Sequence, residues 1–128
     1  MGSMIRLTAS DKHEFLAYLS VPEGPTKGGI VVIQEIFGVN SHIKEVTDRI
    51  ANAGYLAIAP ALFDRIEPNI TLKYGDEGVS KGRQFKDRAD PNSELDVKAA
   101  LEHVRSAGNV AAIGFCWGGS LAWRAATD

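Results

Sequence analysis

The sequence has 128 residues, 45% of them apolar and 23% charged, with a formal net charge of −2. This suits one globular domain and gives no sign of a cationic surface for nucleic acid. No run approaches the roughly 18 apolar residues that cross a bilayer, so no membrane partner is expected. One cysteine, Cys116, excludes an internal disulfide and fits a reducing cytoplasm. Met1-Gly2-Ser3 ahead of Met4 reads as an expression remnant, which leaves residues 4–128 as the domain.

Residues 5–9 and 14–21 read as two strands joined by a turn at Ser10-Asp11-Lys12. Residues 23–28 form a loop. Residues 29–34 are apolar without alternation, as in a strand buried on both faces. Ile43, Val46, Ile50 and Ala53 are spaced for one face of a helix over 40–53, opened near Ser41 and stopped at Gly54. Residues 55–59 form a second buried strand ending at Pro60. A polar stretch, 64–81, lies over the surface, and 78–88 form a short helix. A second helix opens at Asp90-Pro91-Asn92-Ser93 and ends at Gly108. Residues 109–115 are a third buried strand, and 120–127 begin another helix. After the opening hairpin, strand and helix alternate. That order argues for an α/β fold: a mostly parallel sheet with helices on both faces. In such sheets, active residues gather beyond the carboxyl ends of strands.

Two segments follow strand ends. Gly114-Phe115-Cys116-Trp117-Gly118 fits a nucleophile elbow, G-x-Nuc-x-G, with cysteine as nucleophile. Its glycines allow a tight strand-to-helix turn. The turn sets the thiol at the N-terminus of a helix, where the dipole favours a thiolate. The Trp117 N–H then points at a developing oxyanion. The plain alternative is a tight turn holding a buried cysteine. The other segment is Gln34-Glu35-Ile36-Phe37-Gly38. A carboxylate directly after a buried strand is costly without a partner, and Glu35 can face the elbow from the neighbouring strand. Alternatively it is a solvated loop residue.

Together these segments resemble the dienelactone hydrolase, or carboxymethylenebutenolidase, family. Residues 54–63, Gly-Tyr-Leu-Ala-Ile-Ala-Pro-Ala-Leu-Phe, match a further stretch of that family's pattern. The resemblance implies an α/β-hydrolase fold and a small ester or lactone substrate. It casts Cys116 as nucleophile, Glu35 as hydrogen-bond partner of the thiol, and the Ile36 and Trp117 N–H groups as the oxyanion hole. It also implies an arginine ahead of the elbow that holds a substrate carboxylate; Arg83 matches best and Arg88 second. No metal or organic cofactor is expected, because no ligand spacing or phosphate-binding glycine loop is present.

The family sets the Asp and His of its triad beyond the elbow, and no His follows Cys116 here. The histidines present, His13, His42 and His103, read as surface or structural residues. The chain is therefore expected to be the N-terminal, C-terminally truncated portion of such a fold, with the 109–115 strand as an open edge. Two alternatives to hydrolysis stay open. One is a non-catalytic α/β module that forms homo-oligomers through that edge. The other is a redox-sensing or acyl-carrying thiol.

Overall fold

A computed structural model describes residues 2–127. Five strands form one sheet: β1 (Ser3–Thr8), β2 (Glu14–Ser20), β3 (Gly29–Ile33), β4 (Leu56–Pro60) and β5 (Val110–Gly114), in the spatial order β1-β2-β4-β3-β5. The sheet is mixed. β1 pairs with β2, and β2 with β4, antiparallel, while β3 is parallel to both β4 and β5. The helices are α1 (Ser41–Asn52), α2 (Asp76–Val104) and α3 (Trp117–Thr127), and a short 3-10 helix spans Leu62–Arg65.

The apolar run of β3 is explained by its central place. Val31 and Ile33 face one side and pack with Val97, Ala100 and Val104 of α2 and Leu121 of α3. Val32 faces the other and packs with Ile43 of α1. Helices thus cover both faces. α1 is capped by Asn40, one residue before the expected Ser41, and the Asn40 side chain accepts from the Ile43 N–H at 3.0 Å. Gly54 ends the helix region at φ +107°.

Three elements differ from expectation. The two helices expected around residue 89 are one continuous helix, α2, with Pro91 inside it. The proline removes one helical hydrogen bond, but the buried positions Gly82, Ala89, Ser93, Val97, Ala100 and Val104 keep one face through it. Packing on the sheet therefore continues across the break, and the buried Ser93 hydroxyl donates to the Ala89 carbonyl at 2.9 Å. β5 is not fully buried: its exposure alternates, and Ile113 is 38% exposed. It pairs with β3 alone among the described residues, and one of its faces is uncovered. Finally, α3 starts at Trp117, directly on the elbow, and not at Ser120.

The loop after β4 is tied down by Arg65. Its guanidinium binds both oxygens of Asp96 on α2, at 3.0 and 2.8 Å, and reaches Asp11 in the β1–β2 turn at 2.8 Å. The Asp96 side chain is fully buried. Burial pushes its carboxyl above the ordinary range, opposed by Arg65. Replacing Arg65 strands a buried carboxylate, so Arg65→Ala is expected to destabilise the fold by about 3–5 kcal/mol. Urea unfolding should show a lower midpoint with an unchanged slope; an unchanged midpoint would contradict the role given to Arg65.

Candidate active site

The register of β3 on β5 sets the site. Ile33 lies opposite Gly114, so the two chains leave the sheet side by side at the same level. Glu35 and Cys116 each stand two residues beyond that pair. Cys116 falls between β5 and α3, with φ +54°. This left-handed conformation costs a non-glycine residue about 1–3 kcal/mol. It is held because the elbow is closed by backbone: the Gly118 N–H donates to the Phe115 carbonyl at 2.9 Å and the Gly119 N–H to the Cys116 carbonyl at 3.0 Å.

The neighbouring glycines are required sterically. A Cβ on Gly118 would sit 2.5 Å from the Ile33 carbonyl and 2.7 Å from that of Gln34. A Cβ on Gly114 would strike the Gly118 carbonyl. α3 can therefore begin pressed against the end of β3, with Cys116 exposed above it.

The facing segment is fixed from below and from the side. The Gln34 side chain is buried. It accepts from the Leu62 N–H at 2.9 Å and donates to the Glu35 carbonyl at 3.0 Å. Phe37 packs edge-on against Tyr74, with ring centroids 4.6 Å apart. Gly38 takes φ +86° and bridges to Thr71. Gly82 of α2 lies against the Ile36 carbonyl, where any Cβ would collide. That close approach brings Arg83 to the site.

The result is an open cleft of about 630 Å³ whose walls include Ile36, Arg83, Asp90, Cys116, Trp117 and Arg124. Small-molecule sites usually span about 300–1,000 Å³. Four of the residues expected from sequence thus share one cleft. Glu35 is not among its lining residues; it is half-buried beside the cleft, and its Oε1 is buried without a hydrogen-bond partner among the described residues. The Ile36 and Trp117 N–H groups are also without a protein acceptor among the described residues. Arg83 is exposed and in no ion pair among the described residues, while Arg88 does not line the cleft. No histidine lines it. The His42 ring lies 6.5 Å from that of Phe115; His13 stacks on Phe15, and His103 is exposed on α2. Among the described residues, no cluster of His, Cys, Asp or Glu could hold a metal ion, and no helix is long and apolar enough to cross a membrane.

Asp90 and Arg124 carry no signal in the sequence motifs, yet both line the cleft. The Trp117 indole N–H donates to Asp90 Oδ1 at 2.7 Å, and Arg124 Nη2 binds the same oxygen at 2.6 Å. Arg124 Nη1 also lies 3.3 Å from Glu94. A buried indole needs an acceptor, but nothing in the sequence says which carboxylate of α2 supplies it.

Residues 15–128 match the family model for the dienelactone hydrolase family. The chain belongs to that family. A candidate carboxymethylenebutenolidase of Synechocystis is 42% identical to it over 104 residues, covering 77% of this chain and 42% of the relative. Carboxymethylenebutenolidase 1 of Cupriavidus pinatubonensis is 32% identical over 128 residues, covering 93% and 53%. A crystal structure of a candidate dienelactone hydrolase from Klebsiella pneumoniae superposes with a TM-score of 0.66 at 32% identity, over 97% of this chain and 55% of that one. The chain thus spans about half the length of these relatives. An α/β serine hydrolase homologue from Coxiella burnetii shares the fold at 15% identity and a TM-score of 0.63.

Asp90 gives this family member a pH-dependent contact. Burial raises its carboxyl, but the hydrogen bonds from Trp117 and Arg124 and the charges of Arg124 and Lys86 hold it below the ordinary range. A depressed carboxyl stabilises the fold above its unfolded value of about 3.9, and that stabilisation is lost as pH falls through the folded value. From pH 5 to pH 3, the urea midpoint of Asp90→Asn should therefore fall less than that of the unsubstituted chain. Equal falls would show that Asp90 adds nothing to acid sensitivity.

Proposed function

We propose that this chain carries the nucleophile half of a cysteine hydrolase that acts on lactones or small carboxylic esters. The observation that supports it best is the strained, exposed Cys116 at the start of α3, facing the segment that follows β3. In this reading the Cys116 thiolate attacks the acyl carbon. The carbonyl oxygen becomes an oxyanion and is met by the Ile36 and Trp117 N–H groups, which lack protein acceptors among the described residues. The carbon–oxygen bond then breaks and the alcohol leaves with a proton; in a lactone it stays tethered. Water hydrolyses the thioester, returning the thiol and releasing the acid.

Glu35, with one buried and unpartnered oxygen beside the elbow, is assigned to the thiol proton. Arg83 is assigned to a substrate carboxylate, because it reaches the cleft without an ion-pair partner among the described residues. No histidine of this chain lines the cleft, and the relatives are about twice as long. The base that completes a triad is therefore assigned to residues outside this sequence, with residues 4–128 as the N-terminal portion of the domain. A thiol nucleophile suits the reducing cytoplasm.

The test is the single, acylating turnover of an activated aryl ester and of a butenolide lactone, beside Cys116→Ala and Glu35→Gln. Loss of all turnover above background in Cys116→Ala and a fall of about 10²-fold in Glu35→Gln are expected. Turnover that survives Cys116→Ala would overturn the reading.

One observation favours a second reading. The outer edge of β5 is unpaired among the described residues, Ile113 is 38% exposed, and Trp123 of α3 is 72% exposed. Such an edge can pair with a second copy. Sedimentation equilibrium should then show a dimer that Ile113→Lys dissociates; a monomer at all concentrations would dismiss this reading.

A further inference from the structure

The backbone contacts that close the elbow hold Cys116 but leave the direction of the first turn of α3 to its side chains. α3 opens Trp117-Gly118-Gly119-Ser120, and two glycines in a first turn leave its backbone free to reorient. Gly114 and Gly118 meet backbone only, so they permit the close approach without gripping it. Trp117 is the first side chain of the helix that can fix its direction, and it belongs to the same residue whose N–H is assigned above to the oxyanion.

That side chain is fixed in two directions. Its ring stacks on Phe63 at 5.6 Å, 17° from parallel. Its indole N–H is held by Asp90 Oδ1 at 2.7 Å. The same oxygen binds Arg124, seven residues or two turns further along α3. The Arg124 side chain reaches back toward the N-terminus, as long helical side chains do. One carboxylate oxygen on α2 therefore ties both ends of the same face of α3. Glu94 shares the Arg124 charge, so Arg124 keeps a partner when Asp90 is removed.

We infer that Asp90 is a positioning residue for the oxyanion hole: through the Trp117 indole it sets the direction of the Trp117 backbone N–H, and so the rate of acyl transfer to Cys116. The inference rests on the nucleophile reading above. It requires that Asp90 act on the carbonyl oxygen and not on the thiol.

Two probes separate these effects. An activated ester, p-nitrophenyl acetate, reacts through an oxyanion, and its first equivalent of p-nitrophenolate reports acylation without need of a second step. Iodoacetamide alkylates the thiol by displacement of iodide, with no oxyanion. Asp90→Ala and Trp117→Phe are each expected to slow acylation about 10- to 100-fold, with alkylation within about twofold of the unsubstituted chain. The double variant should be no slower than either single one, because both break one link. Asp90→Asn keeps an acceptor for the indole and should restore acylation to within about threefold, with far-UV circular dichroism and the urea midpoint confirming the fold of each variant.

Normal acylation in Asp90→Ala would overturn the inference. So would an equal loss of acylation and alkylation, which is what a general loosening of the site would give. If Asp90→Ala fails to fold, Trp117→Phe and Asp90→Asn decide by the same comparison. Failure of the unsubstituted chain to release p-nitrophenolate while iodoacetamide labels Cys116 would instead overturn the nucleophile reading, and this inference with it.

Discussion

Everything at this site depends on the contact between the first turn of α3 and the last residues of β3. Gly118 packs its bare Cα against the Ile33 and Gln34 carbonyls, a space that no side chain could share. The contact draws Cys116 into a left-handed backbone at the top of the sheet and sets Ile36 beside it. A strained residue persists only where its surroundings over-determine it. Here the restraints are the parallel register of β3 and β5 and the two hydrogen bonds that close the elbow.

The rest of the molecule serves that contact. β3 occupies the sheet interior, buried by α1 on one face and by α2 and α3 on the other, so its carboxyl end cannot shift. Gln34 extends the order by one residue through its bonds to Leu62 and the Glu35 carbonyl. Arg65 fastens the following loop to α2 through Asp96. α2 in turn forms the far wall of the cleft and brings Arg83 and Asp90 to it. Charge in the cleft is divided: Asp90 is engaged by Arg124 and Trp117, whereas Arg83 has no ion-pair partner among the described residues.

Much of this was legible in the sequence where local rules are strong. The apolar runs of β3 and β4, the α1 period and the glycines around Cys116 each have one good structural solution. The elbow and the Gln34–Gly38 segment pointed to the candidate site because each is a short, local pattern that follows a strand end. Long-range partners were not legible. Pro91 suggested a helix start by local preference, but the buried face of α2 runs through it. Gln34 reads as part of a motif, although its amide works as a structural bridge. Asp90 and Arg124 meet only because α2 and α3 cross, and no spacing within either segment encodes that crossing.

The proposed chemistry turns on a bond between Cys116 Sγ and substrate carbon. The most direct measurement is intact-mass and peptide mass spectrometry of the folded chain after brief exposure to an activated ester. One acyl group per chain is expected, carried by the peptide that contains Cys116. An unmodified Cys116, or acylation spread over surface lysines at the same rate in Cys116→Ala, would contradict it.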